Sequence, residues 1–229
     1  MRRGGDGRSK ITIGLAIAGA ALLLLALAQL FLPRLAASRI SSRVGRYGEV
    51  ARVSVSAWPA LKLLWGSADS VRVRARHLSL SPAQAAKLLW EGRGAARMDV
   101  SAQSVKVGPL RLEEAQLRKR DGSLSAEGRV SEADVRAALP PGWRVELLGS
   151  EAGQVRVRAS GGLFGIGASV DAVALAREGR LVAHPLGLLL EGLQLTLFSD
   201  PHVYVQAVGA SRDGGQPATY RLSMRASLR

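Results

Sequence analysis

Residues 52–76 read RVSVSAWPALKLLWGSADSVRVRAR. Val53, Val55 and Ala57 alternate with Arg52, Ser54 and Ser56, and further on Val71, Val73 and Ala75 alternate with Arg72, Arg74 and Arg76. A period of two puts the apolar side chains on one face and the Arg/Ser set on the other, which predicts two strands of a sheet covered on one side. Trp58-Pro59 ends the first run, because proline cannot donate to a ladder. Ala60–Trp65 then forms a compact apolar segment, closed by Gly66.

The pattern extends downstream. Ser81 predicts a helix N-cap, with Pro82 at the first helical position and Gln84 completing a capping box; the helix runs to Glu91 and Gly92 stops it. Its Ala85–Trp90 segment echoes Ala60–Trp65 at an offset of 25 positions. Two strand–apolar helix–strand units and chance in a Leu/Ala-rich chain explain the echo equally well. Period-two runs then dominate. Asp121-Gly122 between two of them is a hairpin signal, and Ser131–Asp134 opens a short helix through Ala138. Strands are predicted near 144–148, 154–160, 165–176, 181–184, 193–198, 202–210 and 218–227. These features predict an α+β fold: one curved, mostly antiparallel sheet, apolar within and Arg/Ser-rich without, curling around a few short helices. No low-complexity linker divides residues 33–229, which form one domain.

Upstream, Ile11–Leu32 holds 22 residues without a charge. At about 1.5 Å per residue such a helix spans a hydrocarbon core of roughly 30 Å. Residues 1–10 carry Arg2, Arg3, Arg8 and Lys10, a basic cytoplasmic n-region. Ala26-Leu27-Ala28 has the small-x-small form of a signal-peptidase site, but the apolar run is longer than an ordinary signal core. The expectation is a single-pass signal-anchor in the cell membrane, with a cleaved signal peptide as the alternative and the main domain on the exocytoplasmic, periplasmic side. After it, Pro33–Tyr47 reads as an amphipathic helix. Ala36, Ile40, Val44 and Tyr47 share one side, and Arg39, Arg43 and Arg46 an adjacent one. Those arginines suit membrane headgroups; a helix packed on its own domain with a solvated basic edge suits them equally.

The formal net charge is +14, yet only five of the 32 basic residues are lysine. Together with an export segment, this speaks for anionic lipid or a cell-surface polymer as partner rather than nucleic acid. Cysteine is absent, which excludes disulfides and thiolate chemistry. His77, His184 and His202 are far apart, no zinc or nucleophile motif occurs, and Asp69 and Asp171 lack a partner carboxylate. The reading is non-enzymatic, with no cofactor and no metal. Trp58, Leu61, Leu64, Trp65, Leu88, Leu89 and Trp90 would line an apolar groove, as would Phe164 and Ile166 in the glycine-rich run 161–167; ordinary core packing explains any one of them as well.

The run Val53-x-Val55-x-Ala57-Trp58-Pro59-x-Leu61-x-x-Leu64-x-Gly66-x-x-Asp69-Ser70-Val71-x-Val73 resembles the opening of the LmeA-like phospholipid-binding family of bacterial envelope proteins. Glu132–Val135, Leu181-x-x-x-Pro185 and the last strand pair, from Pro201 to Leu228, fit the same layout. Where that family often has Gly-Pro-Phe, this chain has Trp58-Pro59-Ala60. The resemblance implies phospholipid binding in the cell envelope, an architecture akin to tubular and AsmA-like lipid-binding proteins, and no established catalytic residues. The competing expectation is an envelope scaffold or interaction protein without a lipid ligand, with a filled interior and an exposed strand edge.

Overall fold

A computed structural model describes residues 28–29, 31–139, 141–163, 166–187, 193–213 and 218–229. The predicted n-region and nearly all of Ile11–Leu32 lie outside the described residues, as does Phe164. Among the described residues no helix is long and apolar enough to cross a membrane.

Helix α1 (residues 31–44) runs into a 3-10 turn, Gly45–Tyr47. Strand β1 (Gly48–Ser56), a 3-10 helix (Ala60–Trp65) and β2 (Ala68–Leu80) follow. Helix α2 (Pro82–Glu91) begins as the sequence predicts. The Ser81 side chain accepts the Gln84 backbone N–H at 3.1 Å, and the Gln84 side chain accepts the Ser81 N–H at 2.7 Å. After α2 come β3 (Ala95–Val107), β4 (Leu110–Arg120), β5 (Ser123–Ser131) and α3 (Glu132–Ala137). The remaining strands are β6 (Arg144–Glu151), β7 (Gln154–Leu163), β8 (Ile166–Arg177), β9 (Arg180–Leu186), β10 (Leu195–Phe198), β11 (Val203–Asp213) and β12 (Thr219–Leu228).

The strands form two open sheets rather than the single curved one predicted. The first has seven strands in the order β1-β2-β3-β4-β5-β12-β11, the second five, β10-β9-β8-β7-β6. All pairs are antiparallel except β2 with β3. That exception resolves the sequence echo. A parallel pair needs a crossover of about a dozen residues or more, which the α2 connection supplies; the Ala60–Trp65 connection is shorter and reverses the chain. Similar sequences therefore make different connections.

The two sheets meet at the free edge of β11. Its Val205 N–H donates to Gly179 O at 2.9 Å and its Val208 N–H to Gly153 O at 3.1 Å, while Ala210 N–H donates to Ser150 Oγ at 3.1 Å. The acceptors sit on and beside the β6–β7 and β8–β9 turns, so the tips of the second sheet satisfy the edge of the first. Gly179 has φ +79°, and a Cβ there would lie 2.2 Å from the Tyr204 ring. Only glycine fits that approach.

The apolar face of the seven-stranded sheet is covered by α1 and α2. Ile40 packs on a cluster of Val71, Val73, Ala95 and Met98, and Val44 on Ala75, Leu78 and Ala102. Ala86 of α2 is buried with Leu124, Val203 and Ala226. The packed-helix reading of α1 thus accounts for its apolar side, while Arg39, Arg43 and Arg46 are exposed and Arg43 pairs with Glu91 of α2 at 3.1 Å. In β4 a bulge with Glu114 at φ +49° resets the alternation, so that Leu112, Ala115 and Leu117 all lie partly buried. Continuing that face, Lys119 is only 4% exposed. Its Nζ donates to Arg93 O at 2.9 Å and to Ala95 O, and burial pushes its pKa down against the opposing pull of Asp121.

Candidate functional site

The residues singled out in the sequence fall into three environments. Trp58, Leu64 and Trp65 are 72%, 64% and 76% exposed, at one end of the seven-stranded sheet. Leu61, Leu88, Leu89 and Trp90 are half-buried. Leu89 joins the cluster around Ala86, the Trp90 ring lies 4.2 Å from the tilted His202 ring, and the Arg93 guanidinium lies 4.2 Å from the Trp90 ring centre. Ile166 pairs with Leu163 where the β7–β8 hairpin closes. The chain entering β2 meets the chain entering β3, where a Cβ on Gly94 would lie 2.1 Å from Gly66 O. Of the tryptophans that end the two echoing segments, Trp65 is turned to solvent and Trp90 lies against His202.

A larger apolar surface lies on the five-stranded sheet, where strand register assigns its face. Val145 and Leu147 of β6 stand opposite Ala159 and Val157 of β7; Val155, Val157 and Ala159 stand opposite Ala174, Ala172 and Val170 of β8. Ala172 and Ala174 pair in turn with Pro185 and Ala183 of β9, and Ala183 with Leu195 of β10. The residues of β6–β9 on this face are half-buried and Leu195 is exposed; none of the three buried clusters lies there. The opposite face carries the bidentate Arg158–Asp171 pair at 2.7 and 3.0 Å, which holds the Asp171 carboxyl below its usual range, and the buried Val173 and Val182.

Trp143 occupies one end of the apolar face. It lies directly opposite Gly161 by continuation of the β6–β7 register, and a Cβ on Gly161 would be 2.5 Å from its ring. Sequence reading passed over Trp143. The available signal was a glycine on the apolar side of an alternating strand, a position that a neighbouring ring can fill.

Where β10 returns to α2, Phe198 packs with Ala86 and Leu124. Beside it opens a cleft of about 330 Å³, between Ser81–Ala83 at the start of α2 and Thr196–Asp200. That is the small end of the range for small-molecule sites. Exposed Leu193, Leu195 and Leu197 continue from the cleft along the β10 edge. Among the described residues no three His, Asp or Glu side chains converge as metal ligands.

The five-stranded sheet thus carries a half-buried apolar face, and a separate small cleft opens beside Phe198. A family model described as LmeA-like phospholipid-binding matches residues 24–223. The chain belongs to the LmeA-like phospholipid-binding family. Neither the curated proteins nor the solved structures contain a match. The LmeA-like match covers all three helices and every strand but the second half of β12, and its description supports phospholipid as the ligand and a binding role. The mostly antiparallel pairing expected from the alternating strands is present, among the described residues, in nine of the ten strand pairs that build the two sheets.

Proposed function

We propose that this is a non-catalytic phospholipid-binding protein of the cell envelope, tethered by Ile11–Leu32 on the exocytoplasmic side, that holds an acyl chain against the five-stranded sheet. The observation that carries the reading is the apolar face from Val145 to Pro185, half-buried and without a buried cluster of its own. Removing a chain from water gains about 0.8 kcal/mol per CH₂, so a few covered methylenes supply useful affinity without directional contacts. Helix α2 is about 15 Å long. Its first turn lines the cleft at Ser81–Ala83, and Trp58, Leu61, Leu64, Leu88, Leu89, Trp65 and Trp90 are kept in this reading as candidate apolar contacts. In this reading Phe164 and Ile166 are further candidate lipid contacts, and Arg39, Arg43 and Arg46 face anionic headgroups rather than nucleic acid.

Mass spectrometry of lipid extracted from the detergent-solubilised full chain tests the proposal. Phospholipid at a stoichiometry that survives size-exclusion chromatography is expected; a lipid-free protein that takes up none from vesicles overturns it. The competing reading, a scaffold without a lipid ligand, draws on the free edges of β1 and β10. It would require a protein or polymer bound at an edge strand and no lipid at all.

A further inference from the structure

The exposed end of the seven-stranded sheet is built to present apolar side chains. Ala60 is buried and roots the 3-10 helix, while Leu64 and Trp65 on the same turn, and Trp58 just before it, stand in solvent. The turn is internally braced. Lys62 N–H donates to Pro59 O, Gly66 N–H to Leu63 O and Ser67 N–H to Lys62 O, at 3.0–3.1 Å. Asp69 accepts the Trp58 N–H at 2.5 Å and the Lys62 ammonium at 3.3 Å. Two tryptophans and a leucine held outward on a braced turn form a patch that solvent alone does not explain.

What covers it follows from the chain that ends beside it. The Gln29 side chain clasps this turn: its Nε2 donates to Ala57 O at 3.3 Å, and its Oε1 accepts the Ala60 N–H at 2.8 Å. Gln29 lies in the last part of the uncharged stretch Ile11–Leu32, which is long enough to cross a bilayer. The patch is therefore placed where such a stretch leaves the membrane. Charge agrees: Lys62 and Arg97 stand near Asp69, whose carboxylate is committed to Trp58 and Lys62. Tryptophan prefers the headgroup boundary, and cations suit anionic lipid there.

We infer that Trp58, Leu64 and Trp65 dock this end of the domain onto the surface of the same phospholipid bilayer that Ile11–Leu32 enters. The docking shares a membrane location with the proposed function but needs no acyl chain on the five-stranded sheet, and extracted lipid does not report on it. The test uses the full chain reconstituted one copy per nanodisc of phosphatidylcholine and phosphatidylglycerol, with and without bromine high on the acyl chains. Trp90→Phe/Trp143→Phe leaves Trp58 and Trp65 as the fluorophores, and bromolipid quenches its emission. Trp58→Phe/Trp65→Phe, which keeps the patch apolar, retains only the quenching that lipid on the five-stranded sheet causes at Trp90 or Trp143. Circular dichroism establishes that each variant is folded. Absence of bromolipid quenching in Trp90→Phe/Trp143→Phe, whose fluorophores are Trp58 and Trp65, overturns the inference. So does shielding of Trp58 and Trp65 from acrylamide without bromolipid quenching, which would assign the patch to a second copy or a protein partner.

Discussion

The two sheets of this protein use the same alphabet, small apolar residues alternating with Arg and Ser, and end in opposite states. In the seven-stranded sheet α1 and α2 lie on the apolar face, and Val71, Val73, Leu124 and Val203 are buried beneath them. In the five-stranded sheet Val155, Val157, Ala172 and Ala174 stand in the same alternation, yet they remain half-buried. Alternation sets which side chains share a face; it does not supply a cover. The difference separates a face that stabilises the fold from one available to a ligand.

Breaking the covered sheet should have the largest effect. Leu124→Ala removes a 3% exposed side chain from the cluster with Ala86, Val203 and Ala226, and should cost about 2–5 kcal/mol in denaturant unfolding. Lipid carried per folded molecule should be unchanged. A loss of lipid without a loss of stability would put the ligand under α2 instead.

The end of the open face can be probed at Gly161. Gly161→Val would drive the Trp143 ring off its seat, an overpacking cost of about 1–3 kcal/mol. It should also move Trp143 emission to the red as the ring enters water. Unmoved emission would mean that the ring does not depend on that glycine.

The sharpest contrast comes from Val157→Glu, in the middle of the open face. Because Val157 is half-buried, the stability cost should be about 1 kcal/mol, while co-purified phospholipid should fall several-fold. Unchanged lipid would remove the functional distinction between the sheets.

The smallest effect is a pH slope from Lys119. Burial lowers its folded-state pKa below the ordinary lysine value of 10.5, so in the window between the two the unfolded chain binds the extra proton. Stability should therefore rise with pH through that window. Lys119→Met should flatten the rise in thermal melts, and an unchanged slope would assign it to other groups.

Much of the fold was legible in local chemistry. The Ser81 capping box, the Asp121-Gly122 hairpin and the alternation of β1, β2 and β12 each state their conformation within a few residues. The bulge at Glu114 and the inward Lys119 were not legible, because a bulge inverts the alternation after it and a buried ammonium depends on carbonyls contributed by Arg93 and Ala95. The division into two sheets was hidden for a similar reason. It turns on β11 edge amides meeting the turns at Gly153 and Gly179, partners distant in the chain.

The candidate site divides in the same way. Its composition, apolar segments without a catalytic set, could be read directly, but the placement of each tryptophan could not. Trp58 and Trp65 face solvent, Trp90 stacks with His202, and Trp143 caps a sheet face that carried no distinguishing local signal. Sequence by itself determined the elements, their two-sided character and the family, because these follow from residue type and spacing. Tertiary structure alone decided which apolar face is covered, since cover depends on where α1 and α2 come to rest after the strands have paired.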